Sequence, residues 1–244
     1  IDTADIASEA TAGSDYTAIS GGTFTITGDS SSTTDTFDVT VSDDTVVEGD
    51  ETFNVDLSTP LFGGGADSSR ATFTGGDAQS LATIQDNDTA QLVFDMASSS
   101  VNEAVAGGMH DVVVSLLVTA NGTANSGTIE SDITVQVDDL QNADATRGAD
   151  YTSAADPQTL TFTSASVNGD ATQNYTLAIT NDGDQEDNEV INLALINASA
   201  LATIDLARDD HTVTIIDDDT PSVSVAPVPG NTSVNENSGT NLIY

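Results

Sequence analysis

Cysteine, tryptophan and lysine are all absent from the 244 residues. Without cysteine no disulfide can staple the fold, and thiol usage says nothing about the redox compartment. Basic residues number 3 against 40 acidic ones, a formal net charge of −37 at pH 7. A surface this acidic repels phosphate backbones and anionic headgroups, which argues against nucleic-acid and membrane-surface partners. Long apolar runs are missing as well. No stretch approaches the roughly 18 residues needed to cross a bilayer, so membrane insertion is not expected, and the start at Ile1 carries no basic-then-apolar signal pattern. Aromatic residues make up 5% of the chain, too few to line a substrate cleft. The two histidines, His110 and His211, have neither cysteine nor a second histidine at ligand spacing, so no zinc site is expected. No Gly-x-Ser-x-Gly occurs, and the chain is expected not to be an enzyme.

Acidic chains poor in aromatics can be disordered, because they have little to bury against their conformational entropy. Strong period-two alternation argues otherwise here. Phe37, Val39 and Val41 alternate with Thr36, Asp38 and Thr40; Phe24 with Ile26, and Phe53 with Val55 and Leu57, do the same. Downstream the pattern returns in Ile133, Val135 and Val137, in Leu160 and Phe162, and in Tyr175, Leu177 and Ile179. It returns again in Ile191, Leu193 and Leu195, and in Val213 and Ile215. These read as half-buried antiparallel strands separated by turns such as Gly63-Gly64-Gly65 and Asn168-Gly169-Asp170. No segment reads as a long helix. The fold class is all-β; tandem antiparallel β-sandwich modules fit better than a closed barrel, because the chain also repeats itself.

Four matches recur in the same order. Gly13-Ser14-Asp15-Tyr16-Thr17 corresponds to Gly148-Ala149-Asp150-Tyr151-Thr152, and residues 42–57 correspond to 180–195 without a gap. Residues 84–89, IQDNDT, match 215–220, IIDDDT, and Ser100-Val101-Asn102-Glu103 matches Ser233-Val234-Asn235-Glu236. One complete module is therefore expected at 89–219. Residues 1–88 would be a partial module lacking its opening strands, and 220–244 the opening of a third. The connections are short: only Thr89 and Ala90 separate Asp88 from a strand near Gln91, and only Thr220 and Pro221 separate Asp219 from one near Ser222.

This ordered set resembles the Calx-β repeat, an immunoglobulin-like sandwich found in sodium/calcium exchangers, some integrins and very large bacterial surface proteins. The resemblance implies that the acidic loops meet at one end of each sandwich and bind Ca2+, a hard cation that takes 6–8 oxygen ligands. Carried over residue by residue, the ligands implied in the complete module are Glu103, Asp150, Asp182, Glu186, Glu189, Asp217, Asp218 and Asp219. In the preceding module they are Asp15, Asp43, Asp44, Glu48, Glu51, Asp86 and Asp88, and Glu236 matches Glu103 in the third. Asn181 stands where the first module has Asp43, and Asn87 where the second has Asp218, so each module gives up one negative charge at a different place. An EF-hand is the competing calcium motif. It fails at 182–193, because Asp187 replaces the turn glycine and Leu193 the closing acid.

The function expected is that of a calcium-binding structural or adhesive repeat in an extracellular, bacterial cell-surface protein or fibre. Ca2+ at the module ends would stiffen the array. A regulatory calcium sensor and an accessory ligand-binding module are the alternatives. The partners expected are neighbouring modules of the same polypeptide and an unidentified adhesion ligand. The incomplete end modules read first as those of a fragment of a longer protein, and the alternative is a fibre in which other copies of the chain receive the strand of residues 220–244.

Overall fold

Alternation becomes a strand wherever a neighbouring strand is present to take its backbone hydrogen bonds. The computed structural model describes residues 1–6, 9–23, 25–26, 34–58, 61–62, 65–66, 78–226 and 229. The first part of the chain forms β1 (Asp2–Asp5), β2 (Val46–Val47), β3 (Glu51–Asp56), β4 (Leu61–Phe62), β5 (Gly65–Ala66) and β6 (Gln79–Ile84). Then come β7 (Thr89–Phe94), β8 (Ser98–Asn102), β9 (Met109–Ala120), β10 (Thr123–Ala124), β11 (Thr128–Ile129) and β12 (Ile133–Asp139). The series closes with β13 (Tyr151–Ser153), β14 (Gln158–Phe162), β15 (Ala171–Ile179), β16 (Glu189–Ile196), β17 (Ala202–Ile204) and β18 (Asp210–Ile216). No helix occurs among the described residues, and none there is long and apolar enough to cross a membrane.

Residues 89–216 form two sheets, one ordered β13-β15-β9-β7-β17 with β10 added to β9, the other β14-β12-β16-β18-β8. Their apolar faces meet in one buried cluster. Leu92, Val114, Leu116, Tyr175 and Leu177 contribute from the first sheet, and Ile133, Val135, Phe162, Ile191, Leu193 and Val213 from the second. These are every-second-residue positions, as alternation requires, and each such aliphatic side chain contributes about 1.5–3 kcal/mol by leaving water. The earlier part forms a three-stranded sheet, β1-β3-β6, over a small core of Ala10, Tyr16 and Phe53. It repeats the register of the later part: Glu51 pairs with Ile84 in β3–β6, and Glu189 with Ile215 in β16–β18.

The sandwich is not purely antiparallel. After Phe94 the chain crosses from one sheet to the other, so its opening segment joins both and lies parallel to β17 and to β18. The strand expected through Phe37, Val39 and Val41 does not form. Only an isolated bridge joins Tyr16 to Val41, and Phe37 and Val41 stay exposed. Its counterpart, β15, pairs with β9 over eight positions, Ala171 to Ala178, and no described residue before Val46 supplies a strand like β9. Ile26 is likewise exposed and outside any strand, and Phe24 lies outside the described residues. Nor does a strand start near Ser222: residues 217–226 lie outside any strand, with Val223 93% exposed. Val234 and Glu236 lie outside the described residues.

The junction between the two parts is shorter than expected, since β7 begins at Thr89 directly after Asp88. It is also braced. β2 pairs in parallel with β11, Val46 opposite Thr128 and Val47 opposite Ile129. Val47, although it belongs to the first acidic loop, is buried in the core of the later sandwich.

Candidate metal centre

The motif Gly-x-Asp-Tyr builds the same turn twice. Gly13 and Gly148 have φ of 94° and 93°, in the left-handed region that a side chain disfavours. That conformation lets Gly13 N donate to Tyr16 O and Gly148 N to Tyr151 O, each at 2.8 Å. The turn is closed by the acid: Thr11 N donates to Asp15 Oδ2 at 2.6 Å, and Thr146 N to Asp150 Oδ2 at 2.5 Å. The tyrosine beneath anchors it, Tyr16 donating to Asp5 and Tyr151 to Asp139, both at 2.6 Å. The Asp139 pairing, together with burial, pushes the Tyr151 phenol upward, burial being the larger cause.

This turn presents Asp15 to Glu48 and Glu51, and Asp150 to Glu186 and Glu189. In each trio, one carboxylate oxygen per residue lies within 4.8 Å of the others. The trios are equivalent under the internal repeat, which a chance scatter of surface acids would not produce. A third group at the same end of the later sandwich joins Glu103, Asp217 and Asp219 within the same distance. Glu103 is 6% exposed and accepts from Asp182 N at 2.9 Å, and Asp219 Oδ2 is buried with no hydrogen-bond partner. Carboxylates gathered this closely repel one another strongly unless protons or a cation intervene.

Their proton affinities carry that strain. Glu48 is pushed up to about 7, first by burial and then by Asp44, Glu51, Asp15 and Glu130. Glu189 also rises to about 7, through burial, a hydrogen bond with Asp150, and the charges of Asp150, Glu186 and Asp144. Burial followed by neighbouring acids raises Glu51, Asp88, Glu186 and Asp219. At Glu103 the Asp182 N–H bond pulls downward, but burial together with Asp182, Asp217 and Asp219 outweighs it and the net shift is upward. Converging, mostly half-buried oxygen donors, an orphaned carboxylate oxygen and no basic side chain among the trios suit a hard divalent cation.

The family model of the Calx-beta domain matches residues 1–88 and 85–219. The chain belongs to the Calx-beta family. Solved Calx CBD structures resemble it only loosely. The apo-form Calx CBD1 domain is 21% identical at a TM-score of 0.40, spanning 54% of this chain and 99% of that one. CBD12 from CALX1.2 is 22% identical at a TM-score of 0.40, spanning 53% of this chain and 44% of that one. No curated protein matches significantly. Calx-beta domains bind Ca2+, and the acidic clusters here have the donors to hold a metal ion.

The Calx-beta resemblance named sixteen candidate acids, and the structure distributes them unevenly. Nine fall in the three trios. Asp43, Asp44, Asp86 and Asp88 line the open cleft around the first trio. There Asp86 accepts from Glu48 N at 2.9 Å, and Asp43 from Asn87 Nδ2 at 3.1 Å. Asp182 bonds through its N–H to Glu103 and raises Glu186 and Asp219, so it borders both later trios. Asp218 is exposed and outside them, and Glu236 lies outside the described residues. Two residues that sequence spacing did not suggest also reach the first cluster. Glu130, brought in by β11, acts on Glu48 and Glu51, and Asn121 donates its N–H to Asp88 and its side-chain amide to Asp44 O.

Proposed function

We propose that the chain is a calcium-binding structural repeat segment of an extracellular surface protein or fibre, in which Ca2+ at the module ends stiffens the array. It does so without catalysis. Within each described module the ligands proposed are the acids of the trios, with Asp43, Asp44, Asp86 and Asp88 completing the first cluster and Asp182 the second. The module limits proposed are 1–88, 89–219 and 220–244. Calcium needs several oxygens at about 2.3–2.6 Å, and three converging carboxylates with bordering acids can supply them.

The observation that carries this reading is the position of the first cluster beside the junction. Its loop, Asp43 to Glu51, is clamped on one side by Asp15 and Asp86, and on the other by β11 and Asn121 of the next module. An ion that fixes this loop therefore also fixes the surface on which the next module rests. Small-angle scattering tests it: the calcium-loaded chain is expected to behave as one rigid rod, and chelation to broaden its distance distribution. Identical curves in chelator and in millimolar calcium would refute the stiffening role. Affinity separates this reading from a regulatory sensor, since roughly 10⁻⁴–10⁻³ M suits an extracellular module and 10⁻⁷–10⁻⁵ M a sensor.

A further inference from the structure

The chain's only two histidines meet at one hydroxyl. Ser99 Oγ lies 2.8 Å from His110 Nε2 and 2.8 Å from His211 Nε2. His211 is 3% exposed, and its Nδ1 lies 2.6 Å from the carbonyl oxygen of Met96. A carbonyl only accepts, so Nδ1 carries the proton and Nε2 presents its lone pair inward. Ser99 donates to that lone pair and accepts from His110 Nε2–H. A carbonyl that holds one ring nitrogen and leaves the other's lone pair to a displaceable hydroxyl is the arrangement that orients histidine toward metals.

Three strands make the convergence, two of them consecutive in sequence and the third far down the chain. Ser99 lies on β8 and His211 on its parallel neighbour β18, whereas His110 opens β9 in the facing sheet. Access follows from the chain crossing between sheets after Phe94, because β7 covers β9 only from Thr119 back to Val114. His110 is consequently partly exposed. Both rings are held below their ordinary proton affinity, chiefly by burial, and so are neutral and able to ligate at neutral pH. The carboxylate trios lie elsewhere: Glu103 is four residues further along the chain from Ser99, about 13 Å at strand rise.

We propose that His110 and His211 form a second, non-calcium metal site, selective for a borderline divalent transition ion such as Zn2+, with solvent completing the coordination. Imidazole suits zinc and copper and is a poor donor for calcium, which favours oxygen. The ion bonds both Nε2 atoms at about 2.0–2.1 Å once the Ser99 hydroxyl turns aside. His110 moves its proton from Nε2 to Nδ1 through solvent, which its partial exposure permits. The net charge of −37 concentrates divalent cations near the surface.

The test is a zinc titration of the full chain, saturated with calcium so that the carboxylate clusters are filled, followed by the side-chain nitrogen resonances of ¹⁵N-labelled histidine. The Nε2 signals of both histidines are expected to move together and to saturate at one equivalent. In His110→Gln the response of His211 should weaken by about tenfold or more in zinc concentration, while Ser99→Ala should keep both responses. A hydrogen-bonded pair with a purely structural role leaves both signals unmoved, and a lone surface ligand moves His110 alone. Either result overturns the proposal in the wild-type chain, whatever the variants do.

Discussion

Calcium binding to this chain is expected to expel protons at neutral pH, in an amount that follows from two glutamates. Glu48 and Glu189 each titrate near about 7 in the ion-free fold, so at pH 7 each is about half protonated. A cation that needs both as carboxylates displaces about half a proton from each, about one per chain. The release rises to about 1.8 at pH 6 and falls to about 0.2 at pH 8. With carboxyls at the ordinary 4.5 it would be below about 0.01 at pH 7. The assay is calorimetric titration at one pH in buffers of different ionisation enthalpy, where the slope of observed heat gives the proton count. The sign for stability follows from the same shifts. A carboxyl raised in the fold favours folding while protonated, fully so below about 4.5, and loses that contribution as pH rises through about 7. The calcium-free chain should therefore be more stable at pH 5 than at pH 8, and calcium should narrow the difference. Buffer-independent heats at pH 7, or a calcium-free chain that gains stability up to pH 8, would refute the crowded clusters.

Glu186→Gln or Asp217→Asn should weaken calcium binding about tenfold or more, whereas Asp38→Asn, in an exposed stretch, or Asp56→Asn, which is held by Gln79 at 2.7 Å, should change it little. Calorimetric titration compares them, and equal effects would contradict the ligand assignments. Gly148→Ala forces a side chain onto a φ of 93° and should cost about 1–2 kcal/mol in chemical denaturation, with loss of affinity because Asp150 rides on that turn. Tyr151→Phe leaves Asp139, which is buried, without its phenol donor and should cost about 1–3 kcal/mol by the same measurement. Gly127→Ala would place a methyl 2.6 Å from Thr45 O and 2.7 Å from Ala120 Cβ, prising β11 from β2. Protease cleavage near Asp88–Thr89 in calcium should then accelerate, and an unchanged rate would show that this contact does not brace the junction.

What could be read in the sequence is what repeats at short range. The alternating runs from Ile133 to Ile215 name their strands because each strand has a partner strand present, and the Gly-x-Asp-Tyr turn is local enough for four residues to specify it. The same alternation at Phe37 to Val41 misleads, since a strand needs a partner and the described chain offers none. Val223 and Val225 mislead for the same reason. Within the clusters, Asp15 and Asp150 reach their trios on turns that a flanking glycine and tyrosine make legible, whereas Asp218 lies outside the trios because alternate residues of an extended run face opposite ways. Glu130, Asn121 and the His110–Ser99–His211 cluster left no sequence signal. They are joined by the β2–β11 and β8–β18 pairings, whose members are far apart in the chain and carry no shared motif.

The central claim is that the acidic clusters are cation sites built by the fold, and a thermal melt of the full chain in chelator against millimolar calcium, with magnesium absent, tests it most directly. For a site whose dissociation constant is a hundredth of the calcium concentration, binding adds about 2.7 kcal/mol. In a chain of this size that corresponds to about 5–10 °C per site. The account predicts a rise of at least that size in calcium. Melts that coincide in chelator and in calcium would contradict it, leaving the carboxylates as a solvated acidic surface.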